Sequence, residues 1–148
     1  MFFRDAYPDL VRALAATTRE VAAAEELVQE AMARAFTRWS RVATMKSPTG
    51  YVYVIAVNLH RRQLRRAKLL RTFHLPEPFE DPMQDATVRT DLLAAVAQLP
   101  PGQRDALLLV EWLGIDVATA SQLLRIKPSS VRARTHRART ILQQQLER

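Results

Sequence analysis

The side chains of this 148-residue chain that could do chemistry are arginines, amides, hydroxyls and carboxylates set at helical spacing. Asn58, Arg61, Arg62 and Arg65 recur at i, i+3, i+4 and i+7, which puts them on one face of a helix. A guanidinium row headed by an amide suits a nucleic-acid backbone. Between Tyr51 and Arg71 there is no acid, so such a stripe can displace counterions from a phosphate chain and bind it in a salt-sensitive way. A second set lies near the end of the chain, where Val131, Thr135, Ala138 and Leu142 make an inward face and leave Ser129, Arg132, Ala133 and His136 together on the outward one. Arg132 can hold a guanine edge bidentately, while the hydroxyls of Ser129 and Ser130, with the free N–H groups of a helix start, can take phosphates. Arg134, Arg137 and Arg139 flank that row. A third set, Glu26, Gln29 and Glu30, shares one polar face at i, i+3 and i+4.

No catalytic constellation accompanies these rows. The chain has no Gly-rich phosphate loop, no cysteine and no Ser/His/Asp set that the sequence places together. His60, His74 and His136 are scattered without ligand spacing, so neither a metal site nor a cofactor is expected, and the chain reads as a non-enzyme. A net charge of +7 and a pI near 10.7 make an anionic partner, nucleic acid or a membrane surface, the first suspect. Apolar residues at 48% and charged residues at 25% describe a folded chain rather than a charged tail. Its length suits one compact domain or two small ones and excludes a large multi-domain enzyme. The apolar run Tyr51 to Val57 is far shorter than the roughly 20 residues of a membrane helix, and no signal peptide opens the chain. Without cysteine the chain fits a reducing compartment, and a cytoplasmic location is expected, with no membrane insertion.

The elements that must position these rows are helices. Glycine occurs only at Gly50, Gly102 and Gly114, and helix formers dominate, so an all-α fold is expected. Pro76, Pro78 and Pro82 mark an extended segment that cannot be helix interior. Two basic helical domains, 1–70 and 91–148, therefore flank a slightly acidic linker at 71–90. In the first, helices are expected over Asp9 to Ala16, Glu20 to Trp39 and Tyr51 to Leu70, with Ser47-Pro48-Thr49-Gly50 as the intervening turn. Val28, Met32, Ala35 and Trp39 form a core face, and Tyr51, Ile55 and Leu59 form another. Tyr53 lies off that stripe and is expected to be more open. In the second domain, helices are expected over Asp91 to Leu99 and Gln103 to Leu113, with Gly114 as the closing residue. Asp116 then caps a helix to Leu124, and after Arg125-Ile126-Lys127 a last helix restarts at Pro128 and runs to Leu146. Two helices across a three-residue break make the helix-turn-helix pattern.

These residues carry a resemblance that spans nearly the whole chain. Glu26-Leu-Val-Gln-Glu-Ala31, Trp39, Pro48, Tyr51, Ile55-Ala-Val-Asn58 with Arg61-Arg62, Leu99-Pro-Pro-Gly-Gln-Arg104, and Val131 to Arg139 follow in an order similar to bacterial RNA polymerase sigma factors of the extracytoplasmic-function class. The resemblance implies a first domain that binds the clamp helices of the polymerase β′ subunit and the melted minus-ten element. It implies a second domain that reads the minus-thirty-five element as duplex, with the β flap as a further polymerase contact. By position, Glu26, Gln29 and Glu30 match the clamp-binding motif, and the loop from Arg41 to Gly50 matches the segment that captures a flipped-out base. Lys46, Tyr53, Asn58, Arg61, Arg62 and Arg65 are the implied minus-ten contacts. Arg104, Ser129, Ser130, Arg132, His136 and Arg137 are the implied minus-thirty-five contacts. Promoter DNA and the polymerase core are thus the implied partners, and family members commonly have an anti-sigma factor.

The chain also departs from the pattern. Arg125 and Lys127 replace the usual Gly and Ser of the turn, which removes the residue best suited to a left-handed conformation and the usual N-cap of the reading helix. Ala120 and Thr135 stand where larger apolar residues are usual, so a lean core is expected there. The competing reading is a stand-alone helix-turn-helix regulator, or a sigma-like protein without polymerase binding, for which Glu26, Gln29 and Glu30 would not matter. A membrane-surface reading fits less well, because the cationic face has no matching exposed apolar face.

Overall fold

The computed structural model describes residues 2–70 and 88–147. Among these residues the structure is helical and contains no strand. The first half comprises α1 (Phe2–Thr18), α2 (Val21–Thr37), the single-turn α3 (Trp39–Val42) and α4 (Pro48–Leu70). Leu10, Ala13, Leu14 and Thr17 repeat at helical spacing on α1 and are buried against α2 and α4. Val28, Met32 and Ala35 line the buried face of α2 as expected, while Trp39 is half-buried and its ring stacks with Phe2 and Phe3.

The second half comprises α5 (Val88–Gln98), α6 (Pro101–Leu107), a π-helical turn (Leu108–Trp112), α7 (Val117–Leu124) and α8 (Pro128–Leu146). Residues 88–90, expected in the linker, belong to α5, and residues 71–87 lie outside the described part of the chain. The helix expected from Gln103 to Leu113 changes pitch at Leu108, where the Leu113 N–H donates to the Leu108 carbonyl at 2.9 Å across a five-residue step. Gly114 then turns the chain with φ +68°, a conformation that favours glycine. Asp116 caps α7: its Oδ1 accepts the Thr119 N–H at 2.7 Å and its Oδ2 accepts the Thr119 hydroxyl at 3.0 Å. These bonds, the backbone one first, hold its carboxyl below the usual carboxylate range, with Lys46 adding to them. Val131, Thr135, Ala138 and Leu142 are all buried on α8, and Thr135 satisfies its buried hydroxyl by donating it to the Val131 carbonyl at 2.8 Å.

The halves pack on one another. The first helix meets α5 and the π-helical turn, and α4 meets α7. Gly50 is buried at this seam, where an added Cβ would come within 2.5 Å of Leu123 Cδ1 and 2.7 Å of Ile115 Cδ1. The seam widens the buried arc of α4 and overturns the expected stripe at Tyr51 and Ile55, while Leu59 is buried as expected. Val52, Tyr53, Ala56, Val57 and Leu59 are buried, whereas Tyr51 and Ile55 are half-exposed. A helix enclosed by α1, α2 and α7 buries more than the single stripe that one neighbour would cover.

Two outcomes test this packing. Leu14→Ala, at a fully buried position, is expected to lower unfolding free energy by about 2–5 kcal/mol in urea titration. His60 is half-buried, and its burial, reinforced by Arg104 and Arg61, lowers its pKa from 6.5. The unfolded chain therefore binds that proton more readily, so His60 makes stability fall as pH drops through and below the unfolded value. The stability of wild type relative to His60→Gln is expected to decline between about pH 7.5 and about pH 5.5 in paired urea titrations.

Candidate nucleic-acid interface

Two members of the row on the fourth helix, Asn58 and Arg62, border a groove against α2, whereas Arg61 turns to Asp105 of α6. Asn58, Arg62 and Arg65 are exposed, and Arg61 is half-buried. The groove, of about 410 Å³, has Arg34 and Arg38 of α2 on one side, Asn58 and Arg62 of α4 on the other, and Tyr51 and Ile55 as apolar lining. Arg34, Leu59 and Arg62 also border a second hollow of about 370 Å³, which Glu26, Glu30 and Arg66 help to line. Acidic and basic rows that look separate in the sequence thus border neighbouring hollows between the same two helices. Glu30 accepts a hydrogen bond from Arg34 Nε at 3.1 Å, and Gln29 Nε2 donates to the Tyr7 hydroxyl at 3.3 Å. Arg34 and Arg38 of this wall are not among the residues singled out from the sequence, and Tyr51, expected in the core, lines it instead. The i, i+4 spacing of Glu30, Arg34 and Arg38 was the available signal.

The structure overturns the expectation for Tyr53. Its ring is fully buried, and its hydroxyl donates to Asp105 Oδ1 at 3.0 Å, so it cannot stack on a base in this arrangement. Burial, with the neighbouring Asp105 charge, pushes that hydroxyl's pKa well above its ordinary value. The position faces α6 of the other half, a neighbour that helical spacing within α4 could not reveal. Asp105 also accepts an ion pair and hydrogen bond from Arg61. Burial raises the Asp105 pKa, against the opposing pull of Arg61, the Tyr53 hydroxyl and Arg104. Lys46 is exposed, with its Nζ 3.4 Å from Asp116 Oδ2.

In the second half Ser129, Arg132, His136 and Arg137 are exposed on α8 and Ser130 is half-exposed. Arg134 packs against Gly102, and Arg139 pairs with Glu111, so these two flanking arginines engage their own domain. Arg104 differs from expectation: it is half-buried and donates from one terminal nitrogen to the Ala97 carbonyl at 3.0 Å. Its Nε is buried without a hydrogen-bond partner among the described residues. No group of His, Asp or Glu among the described residues could hold a metal ion, and no described helix is long and apolar enough to cross a membrane.

Residues 2–70 match the family described as Sigma-70 region 2, and residues 89–142 match Sigma-70, region 4. The chain is 30% identical over 146 residues to the extracytoplasmic-function (ECF) RNA polymerase sigma factor SigM of Mycobacterium tuberculosis, covering 95% of this chain and 72% of that one. The chain belongs to the extracytoplasmic-function sigma factors of the sigma-70 family. The RNA polymerase sigma-E factor of Streptomyces coelicolor is 27% identical over 83% of this chain and 71% of its own length. The ECF sigma factor SigE of Mycolicibacterium smegmatis is 33% identical over 83% of this chain and 51% of its own length. In three dimensions this sigma factor shares its fold with RpoE of Bartonella quintana, solved in complex with the anti-sigma factor NepR. The TM-score is 0.81 at 21% identity, over 98% of this chain and 94% of that one.

The turn of this sigma factor's helix-turn-helix is made without glycine. Arg125 adopts the left-handed conformation at φ 57°, and the Ile126 N–H closes the end of α7 on the Ser121 carbonyl at 3.1 Å. Lys127 stands at the N-cap of α8 without a side-chain cap bond, and Pro128 begins the helix. Arg125→Gly is expected to raise stability by about 1 kcal/mol, the steric cost of the left-handed state less the entropy glycine adds to the unfolded chain. Comparing urea midpoints of the two proteins checks it.

Proposed function

We propose that this sigma factor binds RNA polymerase core through Glu26, Gln29 and Glu30 and takes the melted minus-ten strand on Lys46, Asn58, Arg61, Arg62 and Arg65, with Arg34 and Arg38 as additional wall. In this reading the first domain covers 1–70, and the second, whose first helix begins at Val88, runs to 148, with the segment between them as the linker. Ser129, Ser130, Arg132, His136 and Arg137 of the second domain read minus-thirty-five duplex. Arg104 supports that surface from beneath and reaches phosphate only if its guanidinium turns outward. The observation that supports the proposal best is that Glu26 and Glu30 of α2 border one hollow with Arg62 and Arg66 of α4, beside a groove where Arg34, Arg38, Asn58 and Arg62 meet, alongside a separate exposed face on α8. Such an arrangement can hold a protein and a nucleic acid at once.

The protein performs no bond-making step in this account. It works in the cytoplasm, lending recognition to a polymerase whose chemistry lies elsewhere. Trapping unstacked bases offsets a cost of a few kcal/mol per opened step. An anti-sigma factor is a fitting regulator, since RpoE of Bartonella quintana is held by one.

Run-off transcription with bacterial core polymerase on fragments of the source genome tests the proposal. Discrete transcripts are expected with wild type and none with Glu26→Ala/Gln29→Ala/Glu30→Ala. A wild type that shifts DNA yet neither binds core nor starts transcripts would instead be a stand-alone regulator. For duplex binding, Arg132→Ala is expected to reduce the slope of log K against log salt by about 1 if the side chain contacts phosphate. If it reads a base, specificity relaxes at one position by about 1–3 kcal/mol instead.

A further inference from the structure

We propose that the turn of the helix-turn-helix is itself a duplex-binding element, in which Arg125 and Lys127 hold DNA phosphates beside the reading face of α8. The inference rests on the reading of α8 proposed above and adds two contacts to it.

Both side chains are poorly matched to the backbone they occupy. Arg125 stands at φ 57°, ψ 43°, a left-handed conformation that glycine takes without steric cost. Lys127 stands at the N-cap of α8, where a Ser, Thr, Asp or Asn side chain would accept an N–H of the first turn and an ammonium cannot. Its charge also opposes the positive end of the helix dipole. Neither misfit is compensated inside the protein. Both residues are exposed, and among the described residues neither has an ion-pair partner or a side-chain hydrogen bond. The left-handed state by itself marks nothing, since Arg19 shares it at φ 64°. What distinguishes the turn is that two unpaired cations, two residues apart, occupy unfavourable backbone positions together.

Their position decides what they serve. Ile126, between them, packs against the core and fixes the turn, so the flanking cations stay at the surface. Ser129, exposed in the first turn of α8, continues that surface toward Arg132 and His136. From Val117 to Leu146 the chain contains no acid. Of the basic residues in this stretch, Arg134 lies against Gly102 and Arg139 pairs with Glu111, which leaves Arg125, Lys127, Arg132 and Arg137. A reading helix enters the major groove by its N-terminal residues, so the phosphates bordering that groove are the anions nearest to its turn. Phosphate contacts fix register and orientation without reading sequence. The turn therefore holds α8 in place on the duplex, and the outward residues of α8 meet the bases.

Fluorescence anisotropy of the full chain on a mixed-sequence duplex of about 30 base pairs, repeated over a series of salt concentrations, tests the inference. Arg125→Gly and Lys127→Ser are each expected to reduce the slope of log K against log salt by about 0.9, and the double variant by about 1.8. Both substitutions are expected to raise the urea midpoint, because the new residue suits its backbone position better. Binding thus falls as stability rises, a split that a purely structural turn would not give. Lys127→Arg keeps the charge and is expected to keep the wild-type slope. Arg12→Ala removes an exposed cation from α1 and serves as the control for net charge, with the slope unchanged. A double variant with the wild-type slope overturns the inference, as does a slope change in Arg12→Ala as large as that of either turn variant. Arg132→Ala/Arg137→Ala reads the assignment of α8 separately. If it weakens duplex binding while the turn variants do not, the α8 reading stands and the turn inference fails. If the turn variants lose slope and affinity while it does not, the turn contact stands and the α8 reading fails. A wild type that binds no duplex overturns both.

Discussion

A buried carboxylate needs partners, and the partners of Asp105 come from across the seam. Its side chain is almost fully enclosed, and burial alone disfavours its charge. The Tyr53 hydroxyl and the Arg61 guanidinium, both on α4, are its described partners. A charge placed this way costs more when its partners leave than it contributes when they stay, so it favours one specific docking of the halves. The packing of α1 on α5, the seating of Gly50 under Leu123 and Ile115, and the burial of Tyr53 all belong to that docking.

The distribution of charge follows the same geometry. Both halves are rich in arginine, yet their arginines differ in what they can do. Arg134 and Arg139 serve their own domain, Arg61 serves the seam, and Arg62, Arg65, Arg132 and Arg137 face solvent. Solvent-facing guanidinium groups can exchange counterions for phosphates with little rearrangement, whereas Arg61 must first give up a carboxylate. The groove between α2 and α4 adds Arg34, which is tied to Glu30 and so links the acidic row to the basic one.

Much of the fold could be read from spacing. The four buried residues of α8, the Asp116 cap, the Gly114 turn and the restart at Pro128 stand where the sequence reading put them. Each depends on interactions within a few residues or on the period of one helix. Where the reading failed, the deciding neighbour was distant in sequence. Tyr53 was expected to be more open because it lies off the stripe of Tyr51, Ile55 and Leu59, but Asp105, 52 residues away, closes over it. Arg104 was the phosphate contact implied by the resemblance, yet the end of α5 offers its guanidinium the Ala97 carbonyl. The change of pitch at Leu108 also escaped the apolar pattern, which does not distinguish an α from a π step over so few residues.

The sequence by itself determined the helical class, the two-part organisation, the helix-turn-helix and the ordered motifs that place the chain in its family, because periodicity, capping and turn chemistry are local. Only the tertiary structure decided which members of each basic row are free, that the α2 and α4 rows border neighbouring hollows, and that the second half lies over the loop ending at Gly50. Those outcomes depend on which surfaces meet, and a surface's partner is set by shape and charge complementarity between segments that no local pattern relates.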